Sequence, residues 1–213
     1  MGVREGSALL VAAGEISVDI FRNLLSEKKI IVAIDGGYNH CLTHNVNPDI
    51  IIGDFDSINS SSFPEKTHLI FTQSQNETDL SKAIKWCISS DINNLDIIGV
   101  ESGRSDHILG TFAAFAEINQ DFSKHLDIKL HLNDFIVKYV PKKKKTKLIL
   151  DKETHLSLFC LSKSIVNFQG VKWPLNNEEM NFSTRGIHNY SINNEIELFV
   201  SKGGPVLLFI MRN

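Results

Sequence analysis

The chain has 213 residues, 42% of them hydrophobic, enough for one large packed domain or two small ones, and its composition marks an ordinary globular protein. A formal net charge of −3 provides no long-range field suited to a nucleic acid or an anionic membrane. The run Lys142–Lys145 with Lys147 is the local exception, read as a solvated strand end or turn. The three cysteines, Cys41, Cys87 and Cys160, show no C-x-x-C spacing, which argues against a disulfide framework or a zinc site and suits a reducing compartment.

In chain order, Ala8–Ala13 is an apolar run too short for a signal-peptide core or a membrane span, so a cytoplasmic protein without membrane attachment is expected. Short strand-like runs follow at Ile30–Ile34, Ile50–Gly53, His68–Phe71 and Leu95–Val100. Leu80, Ala83, Ile84, Cys87 and Ile88 recur with helical spacing, and Ile108, Phe112, Phe115 and Ala116 trace a second helical face. This alternation predicts a mostly parallel α/β sheet domain. Beyond Asn133 the pattern changes to β-branched and aromatic residues alternating with polar ones: Phe135–Val140, Thr146–Leu150, His155–Phe159, Glu195–Val200 and Val206–Met211. Turn signals at Asn176-Asn177, Asn193-Asn194 and Gly203–Pro205 separate them, and the expectation is a C-terminal antiparallel β-sandwich domain. We place the domains at residues 1–134 and 135–213; without a flexible linker they are expected to pack closely.

Asp35, Asp54, Asp56, Asp79 and Asp106 each lie beyond the end of an apolar run. In an open α/β sheet ligands bind beyond the carboxyl ends of the strands, so these side chains are expected to converge. Two carboxylates about 5 Å apart repel by roughly 3 kcal/mol at an effective dielectric of 20, so the cluster calls for a cation. Hard oxygen ligands suit Mg²⁺ bridging carboxylates to substrate phosphates, which makes a Mg²⁺–nucleotide site the first hypothesis.

Each motif also has a plainer explanation. Gly53-Asp54-Phe55-Asp56-Ser57 puts two carboxylates on one side of an extended backbone, yet its residues equally favour a turn. Asp35-Gly36-Gly37 lets a backbone approach a ligand, or simply links a strand to a helix. In Gln75–Asp79, Asn76 or Thr78 suits a helix cap, with Asp79 complementing the helix dipole. Ser102-Gly103-Arg104-Ser105-Asp106-His107 combines a glycine turn, a guanidinium and a helix start, all of which hold phosphate; a surface Arg–Asp pair is the alternative. Trp173, in Gly170–Leu175, is either core or a platform for a flat heterocycle.

Taken together and in order, Asp35–Gly37, Pro48-Asp49 with Gly53–Ser57, Thr78-Asp79 with Lys82-Ala83, Gly103-Arg104 with Asp106-His107, and Gly170–Leu175 resemble the thiamine pyrophosphokinase family along almost the whole chain. The chain departs from the family's usual pattern at Gln75-Asn76, Ser102 and His188. The resemblance implies transfer of a pyrophosphoryl group from ATP to thiamine, giving AMP and thiamine diphosphate. It implies Mg²⁺ on Asp54, Asp56 and Asp79, and a nucleotide pocket formed by Asp35, Gly36, Gly37, Gln75, Thr78 and Arg104. It further implies a homodimer in which Trp173 and Asn189 of one subunit meet thiamine, with Asp106 orienting thiamine or accepting its proton. Two other readings are an aspartyl-phosphate-forming phosphohydrolase with Asp54 as nucleophile, and a non-catalytic thiamine or nucleotide sensor.

Overall fold

The computed structural model describes residues 6–27, 29–59, 63–73, 76–101, 104–118 and 125–212. It divides into two compact units, Met1–Ala114 with Leu130–Asn133, and Phe115–Lys129 with Asp134–Asn213.

The first unit contains strands β1 (Ser7–Val11), β2 (Ile30–Ile34), β3 (Ile50–Gly53), β4 (His68–Phe71) and β5 (Asn94–Ile98). They run parallel in the order β5-β1-β2-β3-β4. Every residue of β1 and β3 is buried, as a parallel sheet covered on both faces requires, and this explains their unbroken apolar runs. Helices α1 (Val18–Ser26), α2 (Tyr38–Thr43), α3 (Asp79–Ser89) and α4 (Ser105–Ala116) alternate with the strands. The α1 helix starts at Ser17, whose hydroxyl accepts from Ile20 N–H, and it buries Phe21 and Leu24 one turn apart. With Leu9, Val11, Ala33, Tyr38, Cys41, Ile51 and Ile98 they form the core of this unit. After β4 the chain returns to pair β5 on the far side of β1; in open sheets this reversal opens a ligand crevice at the carboxyl ends.

The second unit is antiparallel. Its strands are β7 (Phe135–Val140), β8 (Lys145–Ile149), β9 (His155–Cys160), β10 (Ser164–Gln169), β11 (Leu175–Met180), β12 (Asn189–Tyr190), β13 (Glu195–Lys202) and β14 (Val206–Met211), with β6 (Asp127–His131) beside β7. One layer has the order β12-β9-β14-β7 and the other β11-β10-β13-β8. Alternate residues point inward, Ile196, Leu198 and Val200 from β13 meeting Leu156, Leu158 and Cys160 from β9, so the layers enclose one apolar core. The fold is thus the expected parallel α/β sheet plus an antiparallel β-sandwich.

Some elements differ from the sequence reading. Asn176-Asn177 is not a separating turn: both residues belong to β11. Asn177 takes a left-handed φ of 55°, and the β10–β11 register shifts between Val166 and Phe168, so the asparagines accommodate an irregularity inside a strand pair.

Candidate active site

β2 and β3 are neighbours in register, Ile34 facing Ile52, so Asp35 and Asp54 leave the sheet from adjacent carboxyl ends. Oxygen atoms of Asp35, Asp54 and Asp56 all lie within 4.8 Å of one another. The backbone is bent to achieve this: Asp35 has φ +43° and Phe55 φ +67°, sparsely populated conformations of the kind found where a site is held against strain. Gly53 is required by the same approach, since a Cβ there would lie 2.8 Å from Asp35 Cβ. Phe55 anchors the loop between the two other aspartates, packing at 5.9 Å from Phe63 and 5.8 Å from Phe71.

The chemistry of the cluster fits a cation. Asp35 Oδ1 is buried with no hydrogen-bond partner among the described residues. Such an orphaned acceptor is costly, and it sits beside two further carboxylates, which cannot relieve it. Mg²⁺, a hard cation bound through a few carboxylates, fits this donor set. The turn interpretation of Gly53–Ser57 holds alongside: Asp54 Oδ1 accepts from Asp56 N–H at 3.4 Å and Asp56 Oδ1 from the Ser57 hydroxyl at 2.9 Å.

The remaining candidates are placed as follows. Gly36 and Gly37 form a 3₁₀ turn with Asp35, and both are buried. A Cβ on Gly37 would lie 1.9 Å from the Val11 carbonyl oxygen, so its smallness serves packing on β1. Thr78 caps α3, accepting from Ser81 N–H at 3.2 Å. Asp79 lies outside the three-carboxylate cluster and pairs with Lys82 at 2.8 Å. Gln75 lies outside the described residues. Arg104 grips Asp106 bidentately, Nε–Oδ1 3.1 Å and Nη2–Oδ2 2.6 Å, and both side chains are exposed. Hydrogen bonding to Arg104 holds the Asp106 carboxyl below the usual carboxylate range, which suits a counter-ion better than a base.

In the second unit Trp173 is 56% exposed and meets Tyr190 edge-on, ring centroids 5.8 Å apart. Asn189, expected to line the thiamine pocket, is buried, and its amide is spent on the backbone of Trp173. Sequence reading missed Asn39, four residues beyond Asp35. Its amide donates to the Ser57 carbonyl at 2.9 Å and accepts from Asn59 N–H at 3.0 Å, bracing the loop that follows Asp56. Its position four residues after Asp35, just inside α2, was its only signal.

The thiamin pyrophosphokinase catalytic domain matches residues 21–129 and the thiamin pyrophosphokinase vitamin B1 binding domain matches residues 140–203. Thiamin pyrophosphokinase 1 of Caenorhabditis elegans is 35% identical over 101 residues, which is 43% of this chain and 42% of that protein. The chain thus aligns with less than half of the worm protein's length. Thiamine pyrophosphokinase of Bacillus subtilis is 23% identical over 193 residues, 85% of this chain and 87% of that protein. The Bacillus subtilis crystal structure superposes with a TM-score of 0.78 over 97% of this chain and 99% of that one, at 23% identity. Thiamin pyrophosphokinase from Candida albicans gives a TM-score of 0.79 over 99% of this chain and 90% of that one, at 18% identity. With a catalytic domain that by itself spans more than half of its residues and a vitamin B1 binding domain behind it, the chain belongs to the thiamin pyrophosphokinase family.

Proposed function

We propose that this chain transfers the pyrophosphoryl group of ATP to the hydroxyl of thiamine, yielding thiamine diphosphate and AMP. The observation that carries the reading is the buried, unpartnered Asp35 oxygen within the Asp35–Asp54–Asp56 cluster, in a chain with both domains of the family. The thiamine hydroxyl oxygen attacks the β-phosphorus, and AMP departs with the oxygen that bridged the α- and β-phosphorus atoms. Such transfer depends chiefly on positioning and on neutralising charge. Asp35, Asp54 and Asp56 would hold Mg²⁺, with Asp79 at the start of α3 as a further candidate ligand, and the ion would supply charge neutralisation at the phosphates.

The chain's own residues do the rest. Asp106 presents the Arg104 guanidinium in a fixed orientation for the triphosphate. Gly53 and Gly37 let the aspartate-bearing loops close on β1 and β2, and Asn39 fixes the loop beyond Asp56. Trp173 offers an exposed indole face for the aminopyrimidine ring. In this reading two copies of the chain pair, each contributing Trp173 to thiamine at the other's active site; the support is family resemblance together with the exposure of that indole. We also infer a cytoplasmic location, supported by three buried cysteines without disulfides. Among the described residues no helix is long and apolar enough to cross a membrane.

The test is ³¹P NMR of the protein with Mg-ATP, with and without thiamine. Thiamine-dependent AMP and thiamine diphosphate are expected. ADP with thiamine monophosphate, thiamine-independent phosphate release, or an unchanged spectrum would each overturn the proposal.

A further inference from the structure

The lysine run at 142–147 is the solvated turn and strand start that the sequence suggested, leading into β8. Lys142 bridges Val200, and Lys143 N–H donates to the Val200 carbonyl at 2.7 Å, so the run is fastened to β13. Lys143 then takes a left-handed φ of 61°, which turns the chain into β8. The result is a cavity of about 360 Å³, wholly within the second unit, that opens between this turn and residues of β6 and β7. Five lysines line it: Lys129 from β6, Lys138 from β7, and Lys144, Lys145 and Lys147 from the run.

Three of these cations already have carboxylate partners. Lys138 pairs with Asp127, Lys145 with Glu197 at 3.1 Å and Lys147 with Glu195 at 2.9 Å. Lys129 and Lys144 have none among the described residues, and Asp127 is the only acid in the lining. Leu126, Leu148 and the buried Tyr139 supply apolar walls that raise the cost of unbalanced charge. Two lysines without carboxylate partners, the part-buried Lys129 and the exposed Lys144, border one small cavity and favour a multivalent anion there, lysine being a common point-charge ligand of phosphate. No exposed aromatic ring lines the cavity, since Tyr139 is 1% exposed, so nothing there stacks a base. The volume lies within the range of about 300–1,000 Å³ typical of small-ligand pockets.

We propose that this cavity binds a polyphosphate chain through Lys129 and Lys144, with Lys138, Lys145 and Lys147 held in place by their carboxylates. The ligand class is an inorganic polyphosphate or the polyphosphate tail of a nucleotide. The site shares no residue with the aspartate cluster, and it stands independently of the reaction proposed above.

Lysine footprinting tests it: brief acetylation of the full-length protein, without divalent metal, in the presence and absence of inorganic triphosphate, followed by mass spectrometry. At an anion concentration about ten times the dissociation constant, acetylation of Lys129 and Lys144 slows about ten-fold, while exposed Lys152 is unaffected. Equal protection by metal-free ATP shows that the tail alone is read. The lining lysines Lys138, Lys145 and Lys147, which the bound anion also shields in the wild type, lose that triphosphate-dependent protection in Lys129→Gln/Lys144→Gln, while the circular dichroism spectrum is unchanged. Unprotected Lys129 and Lys144 in the wild type, slowing shared by Lys152, or protection by RNA but not triphosphate would overturn the proposal.

Discussion

The side-chain amide of Asn189 clasps the backbone of Trp173 from both sides, accepting from its N–H at 3.1 Å and donating to its carbonyl at 2.9 Å. The same Oδ1 accepts from Tyr190 N–H at 3.0 Å, and the Tyr190 ring meets the Trp173 indole edge-on. Asn189 therefore sets where the indole stands.

Asn189→Ala strips both Trp173 backbone groups of their partners, at a cost of about 0.5–1.5 kcal/mol for each hydrogen bond lost, since these part-exposed groups can be rehydrated. The expected outcome is a lower melting temperature and a KM for thiamine raised about ten-fold, as for loss of about 1.4 kcal/mol of uniform binding, with kcat little changed. Steady-state kinetics in thiamine and in ATP separate the two effects: the KM for ATP should hold.

A second prediction concerns the interior of the first unit. Asp96, on β5, receives Lys29 Nζ at 2.5 Å and His131 Nε2 at 2.5 Å, with all three side chains nearly buried. Burial acts to raise the Asp96 pKa, but the hydrogen bonds from His131 and Lys29 outweigh it and lower the value from 3.8 to about 2. A carboxyl whose folded pKa is depressed stabilises the fold above its unfolded pKa, and this contribution vanishes as pH falls through the folded one. Urea denaturation should therefore show a loss of about 2 kcal/mol between pH 5 and pH 2 that is absent in Asp96→Asn. Asp96→Ala leaves the Lys29 charge buried without this partner and should cost about 3–5 kcal/mol at neutral pH.

Gly37→Ala gives a third. The added methyl would lie 1.9 Å from the Val11 carbonyl oxygen, a backbone atom that cannot swing away. The variant should lose at least about 1–3 kcal/mol of stability by overpacking, visible in thermal melts. Because Gly37 belongs to the same 3₁₀ turn as Asp35, activity should fall with it.

How much of this was legible in the sequence depends on the kind of pattern. The strands of the first unit were, because burial on both faces leaves uninterrupted apolar runs such as Ile50–Gly53. So was α3, where Leu80, Ala83, Ile84 and Cys87 are all buried on one face. The helices α1 and α2 were not, since nine and six residues give too few periods to rise above neighbouring apolar runs. The strand β11 was hidden because Leu175-Asn-Asn-Glu-Glu-Met180 is mostly polar and irregular in register. At the site, the aspartates announced themselves by following strands, but their grouping did not. Asp35 joins Asp54 and Asp56 because β2 and β3 are adjacent, whereas Asp106 follows β5, on the other side of β1 from β2. Strand order is a tertiary fact that no local pattern encodes.

The measurement that bears most directly on the aspartate cluster is the rate of thiamine diphosphate formation, as a function of Mg²⁺, in Asp54→Ala beside the wild type. A kcat lower by on the order of 10²–10³, with an unchanged circular dichroism spectrum, is the predicted result, comparable to losing one strong electrostatic contact. Near-normal turnover at ordinary Mg²⁺ in that variant would contradict the assignment and remove Asp54 from the metal site.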